Sequence, residues 1–448
     1  MVLLFVFSKA RTLQKKKNLN VLRISENDTA MNRTPNFMHF IIIFLTGIML
    51  NSACKKEDNS EEPKPVVDYR TFNSASDFFT VLNNVVTLTD SAERISRTNA
   101  LWDSLKENKQ IPLIIGDSVV FLYRSSASTV SWAGDFNGWN PATAGWQGTK
   151  AGQSNIWFLK KSFPMDARLD YKIVANTNWI LDPANPNQQY SGFGPNSELR
   201  MPDWQFPDET KLIAGAGRGS LSENQIITSA AANLGYQVRY KVYTPFNYSQ
   251  LENLPVIYVT DGHEYADDRL GAMIIVLDNL IHQNRIEPVI AVFIDPRDPV
   301  SGANRRMTEY RANIRFANFV ADELTAKIDS DYKTNADAVK RAILGTSLGG
   351  WNSAFFGLMR SDKFQLIGIH SPAFDNAILQ NFSNSALLPL KIYMSTGVIF
   401  DTQTQARNMK TILEAKGYPL QYKEVNEGHS WGNWRALIDE PLIWFFGK

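Results

Sequence analysis

The sequence predicts a mostly parallel α/β sheet with flanking helices, preceded by a smaller β-sandwich. Three observations predict it. First, beyond about residue 226 strand-like and helix-like stretches alternate. Val256–Val259 and residues 289–294 are continuous apolar runs, the pattern of strands covered on both faces. Between them Met273, Val276, Leu277, Leu280 and Ile281 recur at i, i+3, i+4, i+7 and i+8, a helix stripe. Second, residues 113–204 have another texture. Short runs such as 119–123, 129–132 and 156–159 are rich in β-branched and aromatic residues, with turns at Asn137-Gly138, Asn140-Pro141 and Asn185-Pro186. Third, the apolar run 342–344 leads into Gly345-Thr346-Ser347-Leu348-Gly349 and then into the helical stretch 351–359. A serine between two glycines, at a strand-to-helix turn, stands clear of the sheet with its hydroxyl exposed.

Composition narrows the classes. The chain has 448 residues, 44% hydrophobic and 20% charged, as ordinary globular proteins do. A formal net charge of +1 offers no electrostatic argument for nucleic acid. Cys54 is the single cysteine, so an intrachain disulfide is excluded. Neither a glycine-rich phosphate loop nor a His/Cys/Asp cluster with metal spacing occurs, so no cofactor and no metal is expected.

Taken in order, residues 1–30 fit nothing that follows and are expected to be an extension of the gene model, with translation starting at Met31. Residues 31–54 read as a signal peptide: a short polar start, then an apolar core over 37–50, which is shorter than the roughly 20 residues of a comfortable membrane span. Small residues ahead of Cys54 resemble a bacterial lipobox, although Asn51 stands where that pattern prefers an aliphatic residue. The resemblance implies lipidation of Cys54 and anchoring in the outer membrane, and Lys55-Lys56-Glu57-Asp58 resembles the export signal of surface lipoproteins. Residues 55–68 are polar and proline-containing, a flexible tether. Residues 69–112 carry helical spacing at Phe78, Val81, Leu82 and Val85 and read as a helical lead-in. The sandwich occupies 113–204, a connector with Gly215, Gly217 and Gly219 occupies 205–222, and the α/β domain occupies 223–448. Within that domain Gln237–Thr244 alternates as an edge strand.

A nucleophilic serine requires a base and an acid that orients it. Of five histidines, His39 lies in the signal segment, while His263 and His282 precede Ser347. His370 closes a strand before any suitable acid, which leaves His429, in a loop after a strand at 422–425. For the acid, Asp401 follows the strand at 391–394 and precedes the helix Gln403–Lys416, a loop position from which a carboxylate reaches the histidine from behind. Asp375 is the alternative, and a helix cap is the competing role for Asp401. The Leu348 N–H is one oxyanion donor; the second comes from the loop Thr260-Asp261-Gly262-His263, with Gly262 and His263 both open. His263 is also open as a substrate contact.

Residues 226–446 resemble the putative-esterase group of α/β-hydrolases, which includes enterochelin esterases, esterase D and the feruloyl and acetylxylan esterases of carbohydrate esterase family 1. The resemblance rests on Asp261-Gly262, Phe293-Ile294-Asp295, Arg306 with Glu309-Tyr310, the stretch 345–350, and Gly428-His429-Ser430-Trp431 with Trp434-Arg435. It implies an α/β-hydrolase fold and a serine esterase acting through an acyl-enzyme, with Trp431 and Trp434 as substrate contacts. Residues 132–139 resemble the early-set, immunoglobulin-like modules of carbohydrate-binding family 48. Trp132, Phe136, Trp139, Trp146 and Trp157 then either stack on sugar or fill the sandwich core, the core being the expected role. Acylated polysaccharide or oligosaccharide is the expected substrate. A siderophore esterase, an acyltransferase and a catalytically silent glycan-binding lipoprotein are the rivals.

Overall fold

The computed structural model describes residues 71–448. The upstream extension, the signal peptide, Cys54 and the tether lie outside these residues. Two helices come first. Ala75–Val86 is capped by the Ser74 side chain, which accepts from the Asp77 N–H, and Ser91–Glu107 is capped in the same way by Asp90.

Nine strands follow in two antiparallel sheets. They are β1 (Leu113–Ile115), β2 (Ser118–Arg124), β3 (Val130–Gly134), β4 (Thr149–Lys150), β5 (Ile156–Ser162), β6 (Arg168–Ala175), β7 (Asn178–Ile180), β8 (Gln188–Ser191) and β9 (Gly194–Arg200). One sheet has the order β1-β2-β5-β4; the other has β3-β6-β9-β8, with β7 on β6. The alternation of each strand sorts its side chains. Val119, Phe121, Trp157 and Leu159 of the first sheet meet Trp132, Leu169, Tyr171 and Ile173 of the second. Val120, Leu122 and Ile156 face the other way, against Phe78, Leu82, Leu101 and Leu105 of the two leading helices. The lead-in is thus the outer cover of one sheet. Trp132, Phe136 and Trp157 are buried, and Trp146 stacks on Phe136 with ring centroids 4.1 Å apart. These aromatics fill the core of the β region.

The α/β region contains β10 (Ser220–Leu221), β11 (Gln225–Thr228), β12 (Gln237–Thr244), β13 (Val256–Val259), β14 (Ile290–Asp295), β15 (Arg341–Thr346), β16 (Leu366–His370), β17 (Lys391–Gly397) and β18 (Leu420–Val425). They form one sheet of order β10-β12-β14-β13-β15-β16-β17-β18, with β11 also on β12. From β14 to β18 every pairing is parallel, and β12 is antiparallel to β14. Gln237–Thr244 is therefore not an edge: β10 and β11 continue the sheet beyond it. Its residues alternate because Val238, Tyr240 and Val242 face one core while Arg239 and Lys241 face the other side of the sheet. The end of the 205–222 connector enters the sheet as β10.

Both faces of this sheet are covered. Val256, Tyr258, Ile290, Val292 and Ile343 point into one core with the helices Leu348–Met359, Asn376–Asn384 and Gln403–Lys416. Ile257, Val259, Ala291, Phe293 and Leu344 point into the other with Met273–His282, Trp431–Arg435 and Asp439–Phe446. β15 lies inside the sheet between β13 and β16, all six of its residues buried, so its carboxyl end opens where functional sites form in such sheets.

Candidate active site

Ser347 sits between β15 and the helix Leu348–Met359 with φ +57° and ψ −115°, a strained conformation for a residue with a side chain. Packing holds it there. The Ser347 N–H donates to the His370 carbonyl at 2.9 Å, and the Ser347 carbonyl accepts from Ala373 and Trp351. Gly345 and Gly349 must be small, because a Cβ on Gly345 would overlap the Gly349 backbone and the Thr260 hydroxyl. Ser347 is not a helix cap, since its side chain bonds no N–H of the helix that follows.

Three predicted residues meet. His429 Nε2 lies 2.8 Å from Ser347 Oγ, and His429 Nδ1 lies 2.6 Å from Asp401 Oδ1. The Asp401 side chain is fully buried, and its second oxygen accepts from the Gly397 N–H and the Ser371 hydroxyl, both at 2.6 Å, and from Asn433 at 3.4 Å. A carboxylate so supplied with donors is fixed in orientation. The Trp434 ring meets the imidazole edge-on at 5.0 Å. The helix beginning after Asp401 has Thr402, not Asp401, at its N-cap position, without a side-chain capping bond. Asp375 is instead the cap of Asn376–Asn384, accepting from the Ile378 N–H and pairing with Arg311.

The second loop is braced from behind. The Asp261 carboxylate receives Arg306 Nε on both oxygens, at 3.0 and 2.9 Å, and the Asp261 N–H donates to the Tyr310 hydroxyl. Arg306 also reaches the Thr346 carbonyl at 3.1 Å, tying this loop to the serine turn. The N–H groups of Leu348, Gly262 and His263 head their helices and bond no acceptor among the described residues. Three free donors at helix N-termini suit a developing negative charge. Gly262 must be a glycine, because a Cβ there would strike the β14 backbone at Phe293 and Ile294. The His263 ring lies between Asp295, at 3.5 Å, and Glu264, at 3.7 Å, and burial holds it below the usual imidazole range.

Trp431 and Trp434 require a correction. Both are buried in the core beneath the site, so neither presents a face to a substrate. Trp431 donates from Nε1 to Glu264 at 2.9 Å, and Trp434 backs the histidine. Glu264 is pushed up to about 7, by burial first and then by the Asp261 charge. Ser371 and Asn433, which hold Asp401, carry no sequence signal of their own. Their roles exist only where β16 and the Trp431–Arg435 helix converge on one carboxylate. Among the described residues no group of His, Cys, Asp and Glu is arranged to hold a metal ion.

The sheet order and the serine turn define an α/β-hydrolase. Residues 231–386 match the protein family described as "Putative esterase". Over 236 residues the chain is 27% identical to the uncharacterized protein YjcH of Bacillus subtilis (strain 168), covering 50% of this chain and 96% of that one. Over 231 residues it is 29% identical to an endo-1,4-beta-xylanase/feruloyl esterase of Xylanibacter ruminicola, covering 49% of this chain but 30% of that enzyme. In structure it is similar to the enterobactin esterase FES of Shigella flexneri, with a TM-score of 0.61 at 19% identity, covering 73% of this chain and 92% of that one. Residues 231–386 are thus similar to the putative-esterase group, and these matches support a carboxylic ester hydrolase.

Proposed function

We propose that Ser347 is the nucleophile, His429 its base and then its acid, and Asp401 the group that orients His429. The continuous hydrogen-bonded chain from Ser347 through His429 to Asp401, at a strained serine turn, is the observation that supports this reading. His429 Nε2 takes the serine proton as Oγ attacks the ester carbonyl. The oxyanion is met by the Leu348 N–H and by Gly262 or His263. Collapse expels the alcohol, protonated by His429, and water then releases the acid by the same steps reversed.

The substrate class we infer is an acyl or feruloyl ester on a polysaccharide or oligosaccharide. The match to a xylanase/feruloyl esterase supports it. A siderophore-type ester is the second reading, because the likeness of fold to the enterobactin esterase extends over 73% of the chain, more than the 223–448 domain alone. The β region we read as an early-set, immunoglobulin-like module with a structural role. We also propose that the mature protein is anchored in the outer membrane through a lipid on Cys54; an intact mass showing unmodified Cys54 in the native protein would refute that.

A panel of acetylated xylan, feruloyl esters, enterobactin and p-nitrophenyl acetate tests the substrate, and a sugar acceptor added in competition with water separates hydrolysis from acyl transfer. Ser347→Ala tests the mechanism. Turnover is expected to fall by about 10⁴ or more with the fold intact. Turnover near that of the parent would end the reading.

A further inference from the structure

The loop that carries His429 is fastened to the β region by a buried charge cluster. Arg168, at the start of β6, is fully buried. Its Nε lies 2.6 Å from Glu198, it pairs with Asp170, and its Nη1 donates to the Ser430 hydroxyl at 3.1 Å and faces Glu427 Oε2 at 3.7 Å. Glu427 and Ser430 flank His429 three positions apart, so one guanidinium holds both sides of the histidine turn. The backbone joins in: the Arg168 N–H donates to the Asn426 carbonyl at 3.3 Å, and Asn426 Nδ2 donates to Asp166 at 2.7 Å. Trp204 Nε1 donates to the other Glu427 oxygen at 3.1 Å.

Two glycines of the loop are cut to fit. A Cβ on Gly432 would run into the Arg168 guanidinium, and one on Gly428 into the Asp135 carboxylate. The same turn also holds the acid. The Glu427 carbonyl accepts from the Ile399 N–H at 3.2 Å, two residues before Asp401, and the Ile399 side chain packs onto the core of the β region. Displacing Glu427 therefore moves both the histidine and its acid.

We propose that Arg168 is a positioning residue for His429, so that the β region completes the active site instead of merely preceding it. The inference rests on the reading of Ser347, His429 and Asp401 given above. A planar, always-charged guanidinium suits this place: it meets three carboxylates and a hydroxyl in fixed directions, which an ammonium cannot do. Misplacing a reacting group by about 1 Å costs on the order of 10² in rate.

Arg168→Met, Arg168→Lys and Ser430→Ala are assayed on p-nitrophenyl acetate beside Ser347→Ala, with folded protein quantified by circular dichroism. We expect kcat per folded molecule to fall about 10²-fold in Arg168→Met, less in Arg168→Lys, and severalfold in Ser430→Ala, while KM moves less than about threefold. A folded Arg168→Met with kcat within twofold of the parent, or an unchanged kcat with a raised KM, overturns the proposal. If Arg168→Met does not fold, Ser430→Ala decides by the same criteria. Activity persisting in Ser347→Ala would sink the catalytic reading itself, a result distinct from failure of the Arg168 inference.

Discussion

The serine side and the histidine side of the site are held by opposite means. Ser347 is held by main chain and by small size. Its strained backbone is locked between β16 and the following helix, and Gly345, Gly349 and Thr260 pack without room for one more carbon. His429 is held by charge, with Asp401 on one side and Arg168, Glu198 and Glu427 behind it. The first arrangement is local and tolerates no added volume. The second spans 262 positions of chain between Arg168 and Ser430 and tolerates no lost charge. A buried ion cluster with one partner removed leaves uncompensated charge, whereas a tight turn fails by overlap.

Four experiments break or sharpen this contrast. Asp401→Asn keeps the shape but favours the wrong imidazole tautomer, and turnover on p-nitrophenyl acetate should fall by up to about 10⁴. A loss below tenfold would separate Asp401 from the histidine. Gly345→Ala forces a methyl group into the Gly349 backbone; denaturant titration should show destabilisation of about 1–3 kcal/mol, typical of overpacking. No change in midpoint would mean the serine turn is looser than the packing implies. Asp375→Ala removes a helix cap and should cost about 1 kcal/mol with turnover unchanged within twofold. A large kcat loss would instead move the acid to Asp375.

The smallest effect is in pH. Glu427 is pushed from 4.5 up to about 7, by burial first, with Arg168 opposing and Glu198 and Asp135 adding to the rise. Asp135 is also pushed up to about 7, by burial and then by Asp170. A carboxyl with a raised folded-state pKa binds more protons folded than unfolded, so its contribution to stability declines as pH rises from about 4.5 to about 7. Thermal unfolding of Glu427→Gln should therefore decline less over that interval than the parent, the difference growing up to about pH 7 and then levelling. Parallel curves would show that Glu427 is ionised throughout.

Residues whose role depends on near neighbours were legible in the sequence. The serine turn announces itself within ten residues, and chain order reduces five histidines to His429 and favours Asp401 among the acids, with Asp375 left as the alternative. Asp375 was less clear, because capping and orienting a histidine draw on the same side chain. Only the fold separates them, by placing the Ile378 N–H beside one aspartate and the imidazole beside the other.

The burial of Trp431 and Trp434 was not legible, since an aromatic residue beside a catalytic histidine fits a binding wall and a supporting core equally well. Nor was the edge of the sheet, because β10 and β11 are too short to register as strands. Least legible of all was Arg168. By itself the sequence determined the class of fold, the serine turn and the order of the candidate site residues, because these depend on short-range spacing and the sterics of glycine. The tertiary structure alone decided what holds His429 in place, because a charge cluster assembled from residues more than 200 positions apart has no pattern along the chain; it exists only once burial removes water and leaves each charge to find its partner in the protein.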